Sequence, residues 1–413
     1  MEKSRKIYLE SKVFMWLIVL LPVFSMYKSP VNALDLGTFI FFPAALICYF
    51  INVARNIPSP ELNKYQKRLL NFIILLFGYI LFITFANMVI GLDVYGEAMS
   101  GGDKLQMLFR CLKLIITSVL IIFCGKRLMS ADYFMKCYGV IVICAVVYLF
   151  LQTIVYYTLH MVLPPFISSL IREDYAYVLD YSYHQKLGLF RPMSFFYEPA
   201  HFSEFCIPYL AYLLFAVKSS RKGFFSRAVF VTAGIILSTS GVGCLMALIM
   251  WVAAFIKSIY ITNKYTLKIK IISMIGICCI PILFFIPLFQ QAVLRLFSSD
   301  GSVGAILIRM GSGYEEYLQL GWFFKIFGIG YGNYPPSYAI SLSYSLVSLG
   351  IAGTGFLAAF FVKAIIETDG FPRALSFIWI LMFFVTMIFN TGFTLYLPCI
   401  FFILSQKEGE SNV

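Results

Sequence analysis

The sequence predicts an all-α, polytopic membrane protein of about 12 transmembrane helices, joined by short loops except for two long extracytoplasmic ones. Three observations predict it. The chain is 61% hydrophobic and only 13% charged, where a soluble domain is about 45–50% apolar and about 25% charged. Long apolar runs recur from Val13 to Leu404, and an apolar bilayer core of about 30 Å takes about 20 helical residues to cross. Lysine and arginine collect in every second segment between those runs, as they do in cytoplasmic loops.

The expected spans are 13–27, 34–51, 69–90, 107–124, 138–159, 200–217, 228–239, 241–257, 271–289, 342–362, 374–389 and 393–405. The first follows a basic stretch (Lys3, Arg5, Lys6, Lys12) and has no small-x-small cleavage site after Pro22, so it reads as an uncleaved span rather than a signal peptide. With both termini cytoplasmic, the inside segments hold 22 of the 32 Lys and Arg residues. The same charges divide the run 228–257. Basic stretches at 218–227 and 257–270 are both cytoplasmic only if the chain turns back at Ser238-Thr239-Ser240-Gly241. The last apolar run breaks in the same way at Asn390-Thr391-Gly392.

These features exclude several functions. The net charge of +12 is a topology signal, not a nucleic-acid footprint, because no basic patch interleaved with aromatics accompanies it. The longest inside segment, 52–68, is too short for a nucleotide-binding domain, and neither a P-loop nor a Rossmann glycine pattern occurs. The ten cysteines avoid the outside segments and form no C-x-x-C, so no disulfide, metal or other cofactor is expected. Residues 1–413 therefore read as one integral membrane domain.

Chemistry is expected in the two long outside segments, 160–199 and 290–341, because long connections in compact proteins are usually functional. The first ends in Arg191-Pro192-Met193-Ser194-Phe195-Phe196-Tyr197-Glu198-Pro199-Ala200-His201-Phe202, where the chain enters lipid. Charges at that depth are costly and are commonly paired or functional. Arg191 and Glu198 are candidates on that ground, beside the plainer readings of a structural ion pair or a snorkelling arginine. His201 lies one turn into the next helix, as a reserve base or a hydrogen-bonded structural group.

In the second segment, Val303, Leu307, Met310, Tyr314 and Tyr317 have the spacing of one apolar helix face lying on the membrane, with Arg309 beside it and Arg295 before it. Phe327-Gly328-Ile329-Gly330-Tyr331-Gly332-Asn333-Tyr334 follows; its alternate glycines allow close backbone approach to a ligand, or form a plain turn. Arginine's planar fork suits phosphate. With no Asp-x-Asp in either loop, a diphosphate would be held by Arg191, Arg295 and Arg309, with Lys113 near the outer end of its span.

Arg-Pro-x-Ser-x-Phe-x-Glu-Pro-x-His-Phe opening a helix, then the Ser/Thr turn 237–241, then Arg309 followed by Gly-x-Gly-x-Gly-Asn-Tyr, resembles the oligosaccharide repeat-unit polymerases of the O-antigen polymerase/ligase superfamily. The order of motifs and spans resembles that family over most of the chain. Many members carry Arg in the Ser/Thr turn, where this chain has Gly241-Val242-Gly243.

The resemblance implies a GT-C-like, metal-independent glycosyltransferase at the outer face of the bacterial cytoplasmic membrane. Its partners would be polyprenyl-diphosphate-linked oligosaccharide and membrane lipid, with room for a chain-length regulator protein. The expected catalytic residues are Glu198, His201, Arg191 and Arg309. Those expected to bind substrate are Arg295, Lys113, Tyr197, Ser240, Tyr314, Gly330 and Asn333. A lipid-linked oligosaccharide flippase or transporter, and an O-antigen ligase, are the alternatives. A flippase needs charge in a central cavity, and the spans hold little beyond Arg110, Lys113 and Glu204.

Overall fold

The computed structural model describes residues 7–31, 34–165, 168–171, 190–216, 223–260, 267, 271, 298–299, 302–303, 313–334, 339–387 and 393–403. The chain is an α-helical, multi-pass membrane protein. Among the described residues its helices include α1 (Leu9–Phe24), α2 (Leu36–Ala54), α3 (Lys64–Ile90), α4 (Gly101–Leu128), α5 (Ala131–Leu159), α6 (Pro199–Phe215), α7 (Phe224–Leu237), α8 (Gly241–Tyr260), α9 (Trp322–Phe327), α10 (Ser341–Glu367), α11 (Phe371–Phe383) and α12 (Phe393–Phe402). Among the described residues, six are long and apolar enough to cross a membrane: α2, α3, α4, α5, α8 and α10. Eleven of the expected spans carry a helix; the ninth, 271–289, falls outside the described residues apart from residue 271.

Local chemistry sets the helix ends. Asn63 and Gln66 form a capping box at the start of α3, and Ser100 and Asp103 form another at the start of α4. The Asp35 carboxylate caps α2, accepting from the Thr38 amide at 2.8 Å. Pro199 occupies the first turn of α6, where no amide donor is needed. The apolar run 228–257 does break at Ser238–Ser240: Thr239 takes φ +56°, and the Ser240 hydroxyl caps α8 by accepting from the Gly243 amide at 3.2 Å.

Bonds between the described elements tie their connections together in two groups. At one end, Arg55 pairs with Glu10 at 3.0 Å, Arg127 donates to the Ile57 carbonyl, and Lys363 pairs with Glu367 at 2.8 Å. The opposite end gathers the α1–α2 and α3–α4 loops, segment 190–198, the α7–α8 turn and residues 313–334, as the cross-loop bonds described below attest.

The middle of α10 is broken. Gly350 takes φ +66° and ψ −175°, which withdraws the usual helical donors from the carbonyls before it. In a bilayer those carbonyls need replacement partners. The amides of Ile329 and Gly330 donate to Val347 and Ser348 at 3.0 Å each, and the Tyr79 hydroxyl donates toward Leu349 and Phe327 at 2.8 Å. A Cβ on Gly350 would stand 2.2 Å from the Ile326 carbonyl oxygen, so only glycine permits this crossing.

Candidate functional site

The segment entering α6 is held by α5. Ser194 is fully buried with φ +56°, a conformation uncommon for a non-glycine residue. Its amide donates to Gln152 Oε1 at 2.7 Å, Gln152 Nε2 donates back to the Ser194 carbonyl at 3.2 Å, and its hydroxyl donates to the Ala145 carbonyl at 2.7 Å. Gln152 Nε2 also donates to the Leu163 carbonyl at 3.0 Å, tying both ends of the first long loop to α5. Phe190 stacks on Tyr156 at 4.1 Å between ring centres. Arg191 is thus carried between two anchors, Phe190 and Ser194, and is itself half-buried.

Tyr197, Glu198 and His201 follow on the same rigid base. Glu198 is the N-cap residue of α6, with extended backbone and no capping bond from its side chain. Its half-buried carboxylate stands where the helix dipole favours negative charge. The rings of Tyr197 and His201 lie 6.4 Å apart, nearly edge to face. The Tyr197 hydroxyl donates to the Ser25 carbonyl at 3.2 Å, joining this turn to the α1–α2 loop. That loop is braced in turn by Lys28, whose amide donates to Leu170 at 2.8 Å.

One turn deeper, Glu204 is a buried carboxylate that accepts from the Thr386 hydroxyl. The Thr386 carbonyl accepts from the amide and hydroxyl of Ser341, each at 2.9 Å. Start of α6, end of α11 and start of α10 are locked together by this polar knot. Ser203 packs beside it against the α7–α8 turn, 3.4 Å from Ser238.

The structure gives four expected substrate-binding residues internal duties. Lys113 is ion-paired with the Asp35 carboxylate, 3% exposed, so its charge is already offset. The Ser240 hydroxyl caps α8. Gly330, at φ +92°, is pressed closely against Met107 and Thr84. The Asn333 amide donates to the carbonyls of Leu92 at 3.2 Å and Ile329 at 3.0 Å, stapling the glycine-rich segment to the α3–α4 loop. Arg110 likewise donates to the Gly332 carbonyl at 2.8 Å.

The outside helix differs from its expected course. Val303 does not open it: Ser302–Val303 (β2) pairs antiparallel with Ser298–Ser299 (β1). Helix is described from Gly313 to Gln319. There Tyr317 is buried while Tyr314 is 51% exposed, so the two do not share one membrane-facing stripe. Arg295 and Arg309 lie outside the described residues.

Sequence reasoning passed over Gln152, Asp35 and Thr84. Each is a buried polar group at or inside an apolar span, a position where lipid tolerates only a partnered group. That signal was present for Gln152, the one glutamine in the run 138–159. No protein-family model and no curated protein matches the chain.

Proposed function

We propose that the chain is a GT-C-like polymerase of about 12 spans. It would join polyprenyl-diphosphate-linked oligosaccharide units into a surface polysaccharide at the outer face of the bacterial cytoplasmic membrane. The observation that carries this reading is the Arg191–His201 segment. An arginine, a carboxylate and a histidine are held on a clamped backbone at the mouth of α6, at the bundle end opposite the Arg55–Glu10 and Lys363–Glu367 pairs. With no nucleotide motif in the chain, the donor sugar must arrive already activated, and a lipid diphosphate supplies that activation from within the membrane.

In this reaction an acceptor sugar hydroxyl attacks the anomeric carbon of the donor. The C–O bond to the diphosphate breaks, and its electron pair leaves on the polyprenyl diphosphate. Arg191, with Arg309, stabilises that growing charge. Glu198 takes the hydroxyl proton, with His201 as the reserve base. A single displacement inverts the anomeric centre, and no metal is required.

Glu204, buried within the bundle, is the observation that favours the second reading, a flippase or transporter of the same lipid-linked substrate. Deleting the gene and resolving surface polysaccharide on a gel separates them. Loss of long chains with single units retained is the expected result for a polymerase. Loss of every species means a flippase, and complete polymer left on its lipid carrier means a ligase.

A further inference from the structure

We propose that Tyr95, Glu316 and Tyr334 form a carbohydrate-binding subsite, separate from the Arg191–His201 segment, that grips hydroxyls of the oligosaccharide while chemistry proceeds elsewhere. The inference deepens the polymerase reading and rests on it for the identity of the sugar.

Three chain segments converge here. Tyr95 projects from the α3–α4 loop, which is a rigid turn. The Asp93 carboxylate accepts from the amides of Tyr95 at 2.9 Å and Glu97 at 2.7 Å, and the Met99 amide donates to Gly91 at 2.7 Å. Glu316 comes from the helical stretch 313–319, which is fixed by the packing of Gly313 against Ser343 of α10. Tyr334 ends the glycine-rich segment and is buried, its ring 6.1 Å from Tyr344.

The chemistry is that of sugar recognition. The Tyr95 hydroxyl donates to Glu316 Oε1 at 3.4 Å, the long limit of a hydrogen bond. The Tyr334 phenol is bonded to the same Glu316 side chain, so two tyrosines from two different loops are turned toward one carboxylate. The negative charge of Glu316 raises the Tyr95 phenol, and burial followed by Glu316 raises that of Tyr334. Both therefore stay protonated as donors at neutral pH.

The Tyr95 ring is 69% exposed and Tyr314 is 51% exposed nearby in sequence to Glu316, giving aromatic faces on which the C–H side of a pyranose can lie. An entering sugar displaces the weak Tyr95 bond and gives its hydroxyls to the carboxylate. The plainer role for an exposed tyrosine beside a membrane is interfacial anchoring. That role does not account for a phenol turned toward a carboxylate.

The test is binding of the full-length protein in lipid nanodiscs to a printed array of bacterial surface glycans, followed by titration of the best-bound soluble fragment. The wild type is expected to bind a defined subset. Glu316→Gln is expected to weaken binding about tenfold or more, the scale of one lost hydrogen bond to a charged group. Tyr95→Ala should weaken it through lost stacking, whereas Tyr95→Phe, which keeps the ring and removes the competing hydroxyl, should bind at least as well as wild type. The proposal is overturned if the wild type binds no glycan, or if Glu316→Gln and Tyr95→Ala bind as the wild type does. Anchoring would then be the role of Tyr95. The polymerase reading fails on a different result, the persistence of long chains after deletion.

Discussion

Gln152 holds Ser194 by both faces of its backbone, its Oε1 accepting from the Ser194 amide at 2.7 Å and its Nε2 donating to the Ser194 carbonyl at 3.2 Å. One side chain on α5 thereby substitutes for a strand partner at a buried residue of positive φ, and sets where Arg191 and Glu198 stand. Gln152→Ala orphans both groups at about 1–3 kcal/mol each. Reduced thermal stability of the purified protein and polymer loss greater than its fall in abundance are expected. Normal polymer per molecule would mean that the clamp does not position the site.

The break in α10 yields a second prediction. Gly350→Ala forces a side chain into the Ile326 carbonyl at a positive φ, a strain of at least about 1–3 kcal/mol. The variant should be recovered poorly as a monodisperse species after detergent extraction. Gly355→Ala, whose Cβ meets nothing within 4 Å, should be recovered as wild type. Equal recovery of the two would show the crossing to be tolerant.

The Lys113–Asp35 pair separates a structural lysine from a phosphate-binding one. Asp35 is buried and Lys113 half-exposed, so breaking the pair should cost less than the roughly 3–5 kcal/mol of a fully buried one. Lys113→Met alone should lower abundance, and the double variant Lys113→Met, Asp35→Asn should recover most of it with near-normal polymer. Absent polymer from an abundant double variant would return Lys113 to the substrate.

At the proposed catalytic face, Arg191→Lys and Arg309→Lys keep the charge and lose the planar fork. Each is expected to reduce polymerisation about 10²–10³-fold at matched protein level, the scale of removing one charge-stabilising donor. Glu198→Gln should be more damaging than His201→Ala. Near-normal polymer from well-inserted Arg191→Ala or Arg309→Ala would end the catalytic assignment.

Sidedness is testable with a membrane-impermeant thiol reagent, read against the wild-type background. Ser302→Cys should label in intact spheroplasts, and Ser59→Cys only after the membrane is opened. The reverse pattern would invert the proposed topology, and with it the face at which the reaction occurs.

Much of the architecture was legible in residue order alone. Apolar run length marks a helix because lipid leaves the backbone no partner but itself. The placement of Lys and Arg was enough to divide 228–257 at Ser238–Ser240, a turn no hydropathy profile resolves. The Arg191–His201 segment stood out as a candidate, since charge at the edge of a span is rare.

What the sequence could not determine is which polar residue meets which. Gly328–Asn333 reads as a run whose glycines allow close approach to a ligand, or as a plain turn; its backbone serves a helix broken at Gly350, because the carbonyls of Val347 and Ser348 need donors and the segment supplies two amides. Lys113 reads as a phosphate ligand until Asp35, 78 residues away, is found against it. Glu316 and Tyr95 are separated by 221 residues and share no pattern. Sequence by itself determined the helices, because their hydrogen bonds and lipid contacts are local. Only tertiary structure decided the partners of the buried polar groups, because those bonds join residues whose separation along the chain carries no periodic signal.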